Sequence, residues 1–249
     1  MINSIISFKN IPFKIYKSDT LLPKESIISK DNNQKDVFVS VKPTKDDCSF
    51  KTLVKDKNKR IIAENNFSIN HNQSKINNAG MEVLKKEEKG KGYGIVMHLM
   101  SVVELMENNL DRIELNSMPQ AILFHGKCKF KPQINDCYDS ESVMLQISQK
   151  NCVEIPELAQ PVKRAGELFD KMYFSNTFNF SWNEDIKSVN EIADEYIQTL
   201  AAHKLTKSQK SSYALKNVIP MVLTKENIIQ NKNFYNNLFK KYNIDYQII

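Results

Sequence analysis

The stretch EEKGKGYGIVMHLM, residues 87–100, decides the fold, because it joins an extended pattern to a helical pattern through closely spaced glycines. Gly90, Gly92 and Gly94 are half of the six glycines in a chain of 249 residues. A strand that turns into a helix through such a loop presents a row of backbone N–H groups at the positive end of the helix dipole. The stretch therefore predicts a binding site for an anion.

Two well-known phosphate loops do not fit these glycines. The Walker pattern requires four residues between its glycines and then Gly-Lys-Ser or Gly-Lys-Thr, which the sequence lacks. The dinucleotide pattern GxGxxG, started at Gly92, requires a third glycine where the chain has Met97. The stretch is therefore neither a Walker loop nor a dinucleotide fingerprint.

Apolar and polar residues alternate through the sequence before the glycines, which is typical of half-buried strands. The predicted strands are DVFVSVKP (36–43), SFKTLVKD (49–56), RIIAENNFSIN (60–70) and GMEVLKK (80–86). A short polar turn between the second and third strands favours an antiparallel hairpin. The succession of strands predicts a meander.

Helices and further strands are predicted after the glycines. Apolar residues recur at helical spacing over 93–106, on a stripe wide enough for a largely buried helix. RIELNS (112–117) is a short strand, and PQAILFHGKCK (119–129) contains a second helix candidate. FKPQINDCY (130–138) and SVMLQIS (142–148) are predicted to form a hairpin around an Asp-Ser turn. This order indicates an α/β fold class with a mixed sheet.

The sequence period changes to 3.6 after about residue 150, where three amphipathic stripes predict helices. The chain is therefore predicted to contain an N-terminal segment at 1–35, an α/β domain at 36–150 and a helical C-terminal extension at 151–249. Apolar stripes must be buried against something. We expect the helices of the extension to contact the α/β domain, each other, a partner protein or a second copy of the chain in a homodimer.

Composition narrows the class of protein. Apolar residues make up 41% of the chain and charged residues 26%, which is typical of a globular protein. The net charge of +6 comes from scattered basic residues, so a nucleic-acid partner is not indicated, whereas a small polyanion such as a nucleotide or coenzyme fits. No apolar stretch has the length of a membrane span, and the N-terminus lacks a signal-peptide pattern.

The four cysteines point to a reducing compartment. Cys48, Cys128, Cys137 and Cys152 form no CxxC pair and have no histidine at zinc-finger spacing. We interpret them as reduced thiols and expect a cytoplasmic protein. Delivery into a host cell would leave no mark in such a sequence.

The glycine stretch resembles the acetyl-CoA signature of the GNAT superfamily of N-acetyltransferases, Arg/Gln-x-x-Gly-x-Gly/Ala between a strand and a long helix. The match is KGKGYG at 89–94, with Lys in place of the usual Arg or Gln. Downstream, the family pattern Ala-x-x-x-Tyr-x-x-x-Gly-Phe resembles AILFHGKCKF at 121–130, where His125 stands in place of the tyrosine. With the order of strands and helices, the resemblance covers residues 36–150.

The resemblance implies a GNAT-like mixed, mostly antiparallel sheet with helices on both faces, and acetyl-CoA as cosubstrate without a metal. The backbone N–H groups from Gly90 to Ile95 would hold the CoA pyrophosphate, and the strand backbone near Glu82 and Leu84 would pair with the pantetheine arm. Asn116 and Ser117, at the end of the fifth predicted strand, and Phe124 would line the other side. The residues implied in coenzyme binding are Leu84, Lys89, Gly90, Lys91, Gly92, Tyr93, Gly94, Ile95, Asn116 and Phe124.

The implied reaction needs a proton acceptor, oxyanion stabilisation and protonation of the leaving thiolate, because an amine attacks a thioester carbonyl. His125 is the candidate acid, since imidazole can donate a proton at neutral pH. The alternative is that His125 is a solvated helix residue and that no acid is needed, because CoA thiolate is a fair leaving group.

Glu82 is the candidate base, because burial beside a hydrophobic cleft would raise the pKa of its carboxyl group. Glu64, His71 and proton relay through water are alternatives. Glu82 itself has the alternative of being an ordinary surface carboxylate.

The resemblance favours an acetyl-CoA-dependent N-acetyltransferase that transfers acetyl directly to a primary amine. The acceptor would be a protein lysine or N-terminus, a polyamine or another small amine. KPTKDDCS (42–49) leaves no room for the helices that the family inserts to shape the acceptor pocket, so the substrate class is left open. The rival hypotheses are a catalytically weak GNAT-like CoA-binding or interaction protein that works through its helical extension, and a nucleic-acid-binding module, which only the charge supports.

Overall fold

Strands dominate the first part of the chain and helices the second, as the change of sequence period predicts. The computed structural model describes residues 27–44, 48–174 and 182–249. In these ranges the strands are β1 Ile27–Lys30, β2 Asp36–Pro43, β3 Ser49–Lys55, β4 Ile61–Asn70, β5 Lys75–Val83, β6 Arg112–Ser117, β7 Lys131–Pro132 and β8 Ile219–Thr224. The helices are α1 Tyr93–Glu107, α2 Ile122–Lys127, α3 Cys137–Ser148, α4 Ala159–Phe174, α5 Trp182–Ala202, α6 Lys207–Tyr213, α7 Lys225–Gln230 and α8 Lys232–Lys241.

The chain divides into two units. Unit 1 contains Met1–Glu114 and Leu223–Ile249, and unit 2 contains Leu115–Val222. This division differs from the predicted segments, because the last part of the chain belongs with its beginning and not with the preceding helices. Residues 1–26, most of the predicted N-terminal segment, lie outside the described residues.

The predicted strands before the glycines all form, and unit 1 contains them as a meander. Strands β1 to β5 pair in order, each antiparallel to the next. The first strand, β1, was not predicted, because IISK is too short to show alternation. Strand β5 begins at Lys75, ahead of the predicted start at Gly80, because pairs such as Ile69↔Ile76 extend its ladder with β4.

Strand β6 makes the sheet mixed. It is the next strand after β5 in the sheet. The Asp111 N–H donates to the Ser74 carbonyl oxygen at 2.8 Å, so the first residues of both strands lie at the same end of the sheet. Two neighbouring strands that begin together run in the same direction. The prediction of a mixed, mostly antiparallel sheet in an α/β fold is confirmed.

Helix α1 covers one face of the strands in unit 1, in contact with β3, β4 and β5. The Asn65 Nδ2 group donates to Ser101 Oγ at 3.4 Å, which identifies the covered face of β4. Every residue of α1 from Val96 to Leu105 is buried, and α8 contacts this helix as well. The predicted buried helix is therefore confirmed.

The predicted hairpin at 130–138 and 142–148 is wrong. Only Lys131–Pro132 is extended, and SVMLQIS lies within helix α3. Asp136 caps this helix by accepting a hydrogen bond from the Asp139 N–H at 2.8 Å. A short apolar run fits a strand or a helix equally well, and the cap decides in favour of the helix.

The segment 151–249, predicted as a helical extension, also contains a strand that was not predicted. Strand β8 lies in this segment and pairs antiparallel with β7 through Lys131↔Val222 and Pro132↔Met221. Its sequence IPMVLT does alternate, with Ile219, Met221 and Leu223 buried. The strand was missed because six residues among helical stripes give a weak period-2 signal.

Apolar residues on the C-terminal helices are buried in the described structure. Helix α5 buries Ile192 and Tyr196, and α8 buries Tyr235 and Phe239. These stripes therefore do not by themselves indicate a partner. None of the helices in the described ranges has both the length and the apolar character required to cross a bilayer.

Helices α2 and α5 of unit 2 pack closely against each other. Gly126 of α2 lies so near α5 that a Cβ atom there would stand 2.6 Å from Ile197 Cγ2. That distance is well inside a van der Waals contact. Only a residue without a side chain allows the two helices to approach this closely.

Gly126→Ala should therefore reduce the free energy of unfolding by about 1–3 kcal/mol relative to Gly166→Ala, because overpacking displaces neighbouring side chains. Gly166, in helix α4, is the control, since its added Cβ would meet only Ser148 Cβ at 3.7 Å. Denaturant titration of both variants gives the difference. Equal stabilities would contradict the close packing of α2 on α5.

Candidate functional site

The glycine stretch forms the junction between β5 and α1 in unit 1. After β5 ends, Lys86–Glu88 form a single 3-10 turn, and the chain then passes through Gly90 at φ +82° and Gly92 at φ +90°. Gly92 is the residue that precedes the first turn of α1. Both φ angles lie in the left-handed region that residues with a Cβ rarely adopt, which explains the two glycines.

Five successive backbone N–H groups at this junction donate to no acceptor among the described residues. They belong to Gly90, Lys91, Gly92, Tyr93 and Gly94. The predicted set continued to Ile95, but the Ile95 N–H donates to the Gly92 carbonyl oxygen at 3.0 Å. Unsatisfied donors at the positive end of a 15-residue helix are suited to an anion such as a phosphate.

Asn32, in the turn after β1, holds the loop by hydrogen bonds to two of its carbonyl groups. Its Nδ2 group donates to the Gly90 carbonyl oxygen at 2.9 Å, and its backbone N–H donates to the Lys91 carbonyl oxygen at 2.8 Å. All peptide bonds here are trans, so the N–H of each peptide unit points opposite to its carbonyl. The N–H groups of Lys91 and Gly92 are therefore directed away from Asn32.

Tyr242, from the C-terminal end of unit 1, supports Asn32. Its hydroxyl group donates to Asn32 Oδ1 at 2.7 Å. A Cβ atom on Gly92 would lie 2.8 Å from Asn32 Oδ1 and 2.9 Å from Tyr242 Cε1. Sequence reasoning missed both supporting residues, because neither lies near the glycines in sequence and neither belongs to a motif.

The charged side chains of the loop differ in their surroundings. Lys91 Nζ pairs with Glu88 Oε2 at 2.9 Å, which lowers the pKa of the Glu88 carboxyl group. Tyr93 is buried and its hydroxyl donates to the same oxygen at 2.9 Å; burial and this hydrogen bond raise its pKa. Lys89 is exposed and forms no ion pair with the described residues. Lys91 and Tyr93 thus stabilise the loop through Glu88. The positive charge of Lys89 is available to an anionic ligand.

The strand positions predicted to bind pantetheine lie at the end of β5. The Leu84 N–H is already engaged, since it donates to the Ile62 carbonyl oxygen at 3.0 Å and extends the ladder with β4. Backbone groups alternate in direction along an antiparallel strand, so Val83, one residue earlier, directs its N–H and C=O away from β4. Of these two residues, Val83 has the backbone groups with the orientation that a paired ligand needs.

The candidate bases lie on the same strands and the turn between them. Glu82 is exposed and stands opposite Glu64 in the register of β4 and β5. Glu64 forms an ion pair with Lys51 at 3.2 Å. His71 is exposed in the turn after β4. Neither glutamate has the apolar burial that the prediction assumed for a base.

The remaining predicted residues belong to unit 2. Asn116 is exposed at the end of β6, whereas Ser117 next to it is fully buried. Ser117 Oγ lies 2.8 Å from Nδ1 of His125 on α2. The His125 ring is flanked by the rings of Phe124 and Phe130, with centroids at 5.2 and 5.5 Å.

Burial sets the protonation of His125. Desolvation lowers the pKa of its imidazole to about 4. The ring is therefore neutral at pH 7 and carries one proton. This side chain can donate or accept a hydrogen bond, but an imidazolium acid is not populated there at neutral pH.

The predicted site residues thus form two groups, each assembled within its own unit. The loop residues 89–95 and the end of β5 lie together in unit 1, and Ser117, Phe124 and His125 lie together in unit 2. In the described ranges, no cluster of three His, Cys, Asp or Glu side chains is placed to hold a metal ion.

No protein-family profile and no curated protein matches the chain. Among solved structures, it is similar to Tetrahymena GCN5, with 16% identity and a TM-score of 0.33 over 38% of this chain and 58% of that one. A GNAT-family acetyltransferase from Staphylococcus aureus gives 17% identity and a TM-score of 0.32 over 34% and 55% of the two chains. The spermidine/spermine N-acetyltransferase SpeG from Vibrio cholerae gives 20% identity and a TM-score of 0.33 over 36% and 57%.

The likeness is partial. This chain spans less than two thirds of the length of each of the three structures.

Gly92→Ala should destabilise the protein more than Gly90→Ala. Each change places a Cβ on a residue with positive φ, which costs about 1–2 kcal/mol. At Gly90 the added atom meets nothing within 4 Å, whereas at Gly92 it displaces Asn32 or Tyr242. Thermal and denaturant unfolding of both variants measure the difference, and a less stable Gly90→Ala would contradict the support of Gly92 by Asn32.

Proposed function

We propose that the protein is an acetyl-CoA-dependent N-acetyltransferase, which transfers the acetyl group directly to a primary amine. The observation that carries this proposal is the row of five backbone N–H donors from Gly90 to Gly94, at the junction of β5 and α1. The donors would bind the CoA pyrophosphate. Acetyl-CoA is thus a cosubstrate, and the proposal requires no metal.

The direction of the donors supports this role. Asn32 holds the carbonyl oxygens of Gly90 and Lys91 on one side of the loop, so N–H groups are presented on the other. Hydrogen bonds from several fixed N–H groups to a charged oxygen are stronger than those between neutral groups. Lys89 adds a positive charge that no described acidic residue pairs with.

The end of β5 would place the rest of the coenzyme. We assign the pairing with the pantetheine arm to the backbone of Val83, because the Leu84 N–H is engaged with Ile62. An extended arm with amide groups can add to a strand as another strand would. This pairing would lead the arm along β5, away from the loop.

The amine must lose a proton before or during its attack on the thioester. Glu82 remains the candidate acceptor of that proton, since Glu64 on the neighbouring strand is paired with Lys51. Glu82 is exposed, so a water molecule could also relay the proton. The acceptor substrate would be a protein lysine or N-terminus, or a small amine, in the cytoplasm.

One observation favours a second candidate function, a CoA-binding or interaction protein with little catalytic power. Of the carboxylates considered as bases, Glu82 is exposed and Glu64 is paired with Lys51, so neither lies in the apolar cleft that the choice of a base assumed. Such a protein would keep the loop and its ligand. It would work through the helices of residues 151–249.

Binding of acetyl-CoA should depend on the loop. Calorimetry should detect acetyl-CoA binding to the native protein and at least a tenfold weaker affinity for Gly90→Glu, because a carboxylate beside the donors repels the pyrophosphate. Gly80→Glu is the matched control, since its side chain also enters open space and adds the same charge outside the loop. Equal affinities of both variants would remove the loop from the site.

Transfer should be detectable as release of CoA. A thiol reagent should report CoA release that accelerates when polyamines, lysine peptides or peptides with a free N-terminus are added, and mass spectrometry should find the acetylated amine. The Gly90→Glu variant should lose this acceleration at subsaturating acetyl-CoA. If acetyl-CoA binds but every acceptor gives only background hydrolysis, the binding-protein hypothesis replaces the enzyme.

A further inference from the structure

Tyr242 is buried beside the glycine loop, Gly90–Gly94, although it lies far from the loop in sequence. It directly follows helix α8 and is 2% exposed. Its hydroxyl group donates to Asn32 Oδ1 at 2.7 Å. A buried tyrosine hydroxyl usually has a hydrogen-bond partner, and here the partner is the side chain that binds the Gly90 carbonyl oxygen.

The backbone of Tyr242 is held by two elements of unit 1. Its carbonyl oxygen accepts from Ser29 Oγ at 2.6 Å and from the Lys30 N–H at 2.9 Å, both on β1. Its own N–H donates to the Leu238 carbonyl oxygen of α8 at 3.0 Å. The hydroxyl group of Tyr242 therefore extends from a fixed backbone.

The Asn32 side chain needs such a partner. Asn32 is exposed, so water competes for both ends of its amide. The terminal torsion of an asparagine side chain is broad, and rotation about it would turn Nδ2 away from the loop. The Gly90 carbonyl oxygen can only accept, so the hydrogen bond at 2.9 Å requires Nδ2 to face it and leaves Oδ1 for the Tyr242 hydroxyl group. The two hydrogen bonds therefore fix one orientation of the amide.

The orientation of this amide affects the backbone of the loop. Gly90 lies at φ +82° and Gly92 at φ +90°, and glycine has more backbone conformations available than other residues. The hydrogen bonds from Asn32 to the Gly90 and Lys91 carbonyl oxygens favour one of these conformations. A Cβ atom on Gly92 would lie 2.8 Å from Asn32 Oδ1 and 2.9 Å from Tyr242 Cε1, so both side chains pack directly against the loop.

We propose that Tyr242 is a positioning residue for the anion site: its hydroxyl group fixes the Asn32 amide, and Asn32 keeps the loop in the conformation whose N–H groups bind a pyrophosphate. This inference rests on the proposed function for the identity of the ligand, acetyl-CoA. The restraint of the loop stands on the contacts within unit 1 alone.

Tyr242 would act without touching the ligand. It contacts the loop on the side of Asn32, whereas the N–H groups of Lys91 and Gly92 are directed away from Asn32. If one loop conformation binds the ligand, the apparent affinity falls in proportion to the fraction of molecules that have this conformation. Loss of the tyrosine hydroxyl would weaken binding by lowering that fraction.

The first experiment measures the order of the loop without a ligand. Relaxation of ¹⁵N in the full-length native protein should give order parameters of about 0.85 for the amides of Gly90–Gly94, the value of a rigid backbone. Tyr242→Phe keeps the ring and removes only the hydroxyl group. In this variant the order parameters should fall toward about 0.6, and the Asn32 N–H should exchange faster with solvent.

Tyr246→Phe is the matched control. Tyr246 lies in the same C-terminal segment, is 9% exposed, and donates from its hydroxyl group to Glu107 Oε1 at 3.0 Å, at the other end of α1. This variant loses a hydrogen bond of the same kind, and its loop should remain as ordered as in the native protein. Loop order and Asn32 exchange that are native in Tyr242→Phe, or that change equally in Tyr246→Phe, would overturn the inference.

The second experiment measures affinity by calorimetry. Acetyl-CoA should have a Kd about fivefold higher in Tyr242→Phe than in the native protein, the factor that corresponds to one hydrogen bond. Asn32→Ala also loses the hydrogen bond to Gly90 and should raise the Kd about tenfold or more. Tyr246→Phe should leave the Kd unchanged. Native affinity in Tyr242→Phe, or the same loss in Tyr246→Phe, would reject the positioning role.

A double variant tests whether Tyr242 acts through Asn32. Tyr242→Phe should cause no further loss of affinity when it is combined with Asn32→Ala, because the partner of the hydroxyl group is already absent. Additive losses would show that Tyr242 acts by another route.

Inorganic pyrophosphate separates this inference from the proposed function. Its binding to the native protein and the variants can be followed by the amide resonances of Gly90–Gly94. If pyrophosphate binds with the expected order of affinities but acetyl-CoA does not bind, the proposed function fails and the positioning role stands. If acetyl-CoA binds equally well to the native protein and to Tyr242→Phe, the positioning role fails and the proposed function stands. If neither ligand binds, both fail.

Discussion

One asparagine determines the geometry on which the proposed function depends. Asn32 donates one hydrogen bond from its side chain and one from its backbone to the carbonyl oxygens of Gly90 and Lys91. Loops rich in glycine have many accessible conformations, and fixing one of them has an entropic cost. Two hydrogen bonds from a rigid turn offset part of that cost. The turn itself is held by Asp31, whose Oδ1 accepts from the N–H groups of Asn33 and Lys35.

The two ends of the described chain meet at this support. The Tyr242 carbonyl oxygen accepts hydrogen bonds from Ser29 Oγ at 2.6 Å and from the Lys30 N–H at 2.9 Å, and its hydroxyl group reaches Asn32. Residues 223–249 therefore help to hold the glycine loop, although unit 2 intervenes in the sequence. These hydrogen bonds join the C-terminal segment to the first strand of unit 1.

Local patterns in the sequence are sufficient to predict much of the secondary structure of unit 1. The alternation in β2, β3 and β4 and the wide apolar stripe of α1 reflect which side chains are buried, because burial recurs at a regular spacing along a strand or a helix. The glycine loop was recognisable because its backbone demands glycine at two positions. Unit 2 was harder, since β8 finds its partner β7 far away in sequence and α3 begins with a run that also fits a strand. Asn32 and Tyr242 could not be found, because a supporting contact at long range leaves no periodic signal.

The groups proposed to bind the pyrophosphate are mostly neutral dipoles, and this affects where positive charge is useful. Backbone N–H groups carry no net charge, so holding them in a partly desolvated place avoids the large penalty of burying an ion. They act only at hydrogen-bond distance. The net charge of +6 acts farther out, although salt screens it beyond about 8 Å at physiological ionic strength. A polyanionic coenzyme would thus be attracted by scattered lysines such as Lys89 and oriented by dipoles that Asn32 fixes in advance.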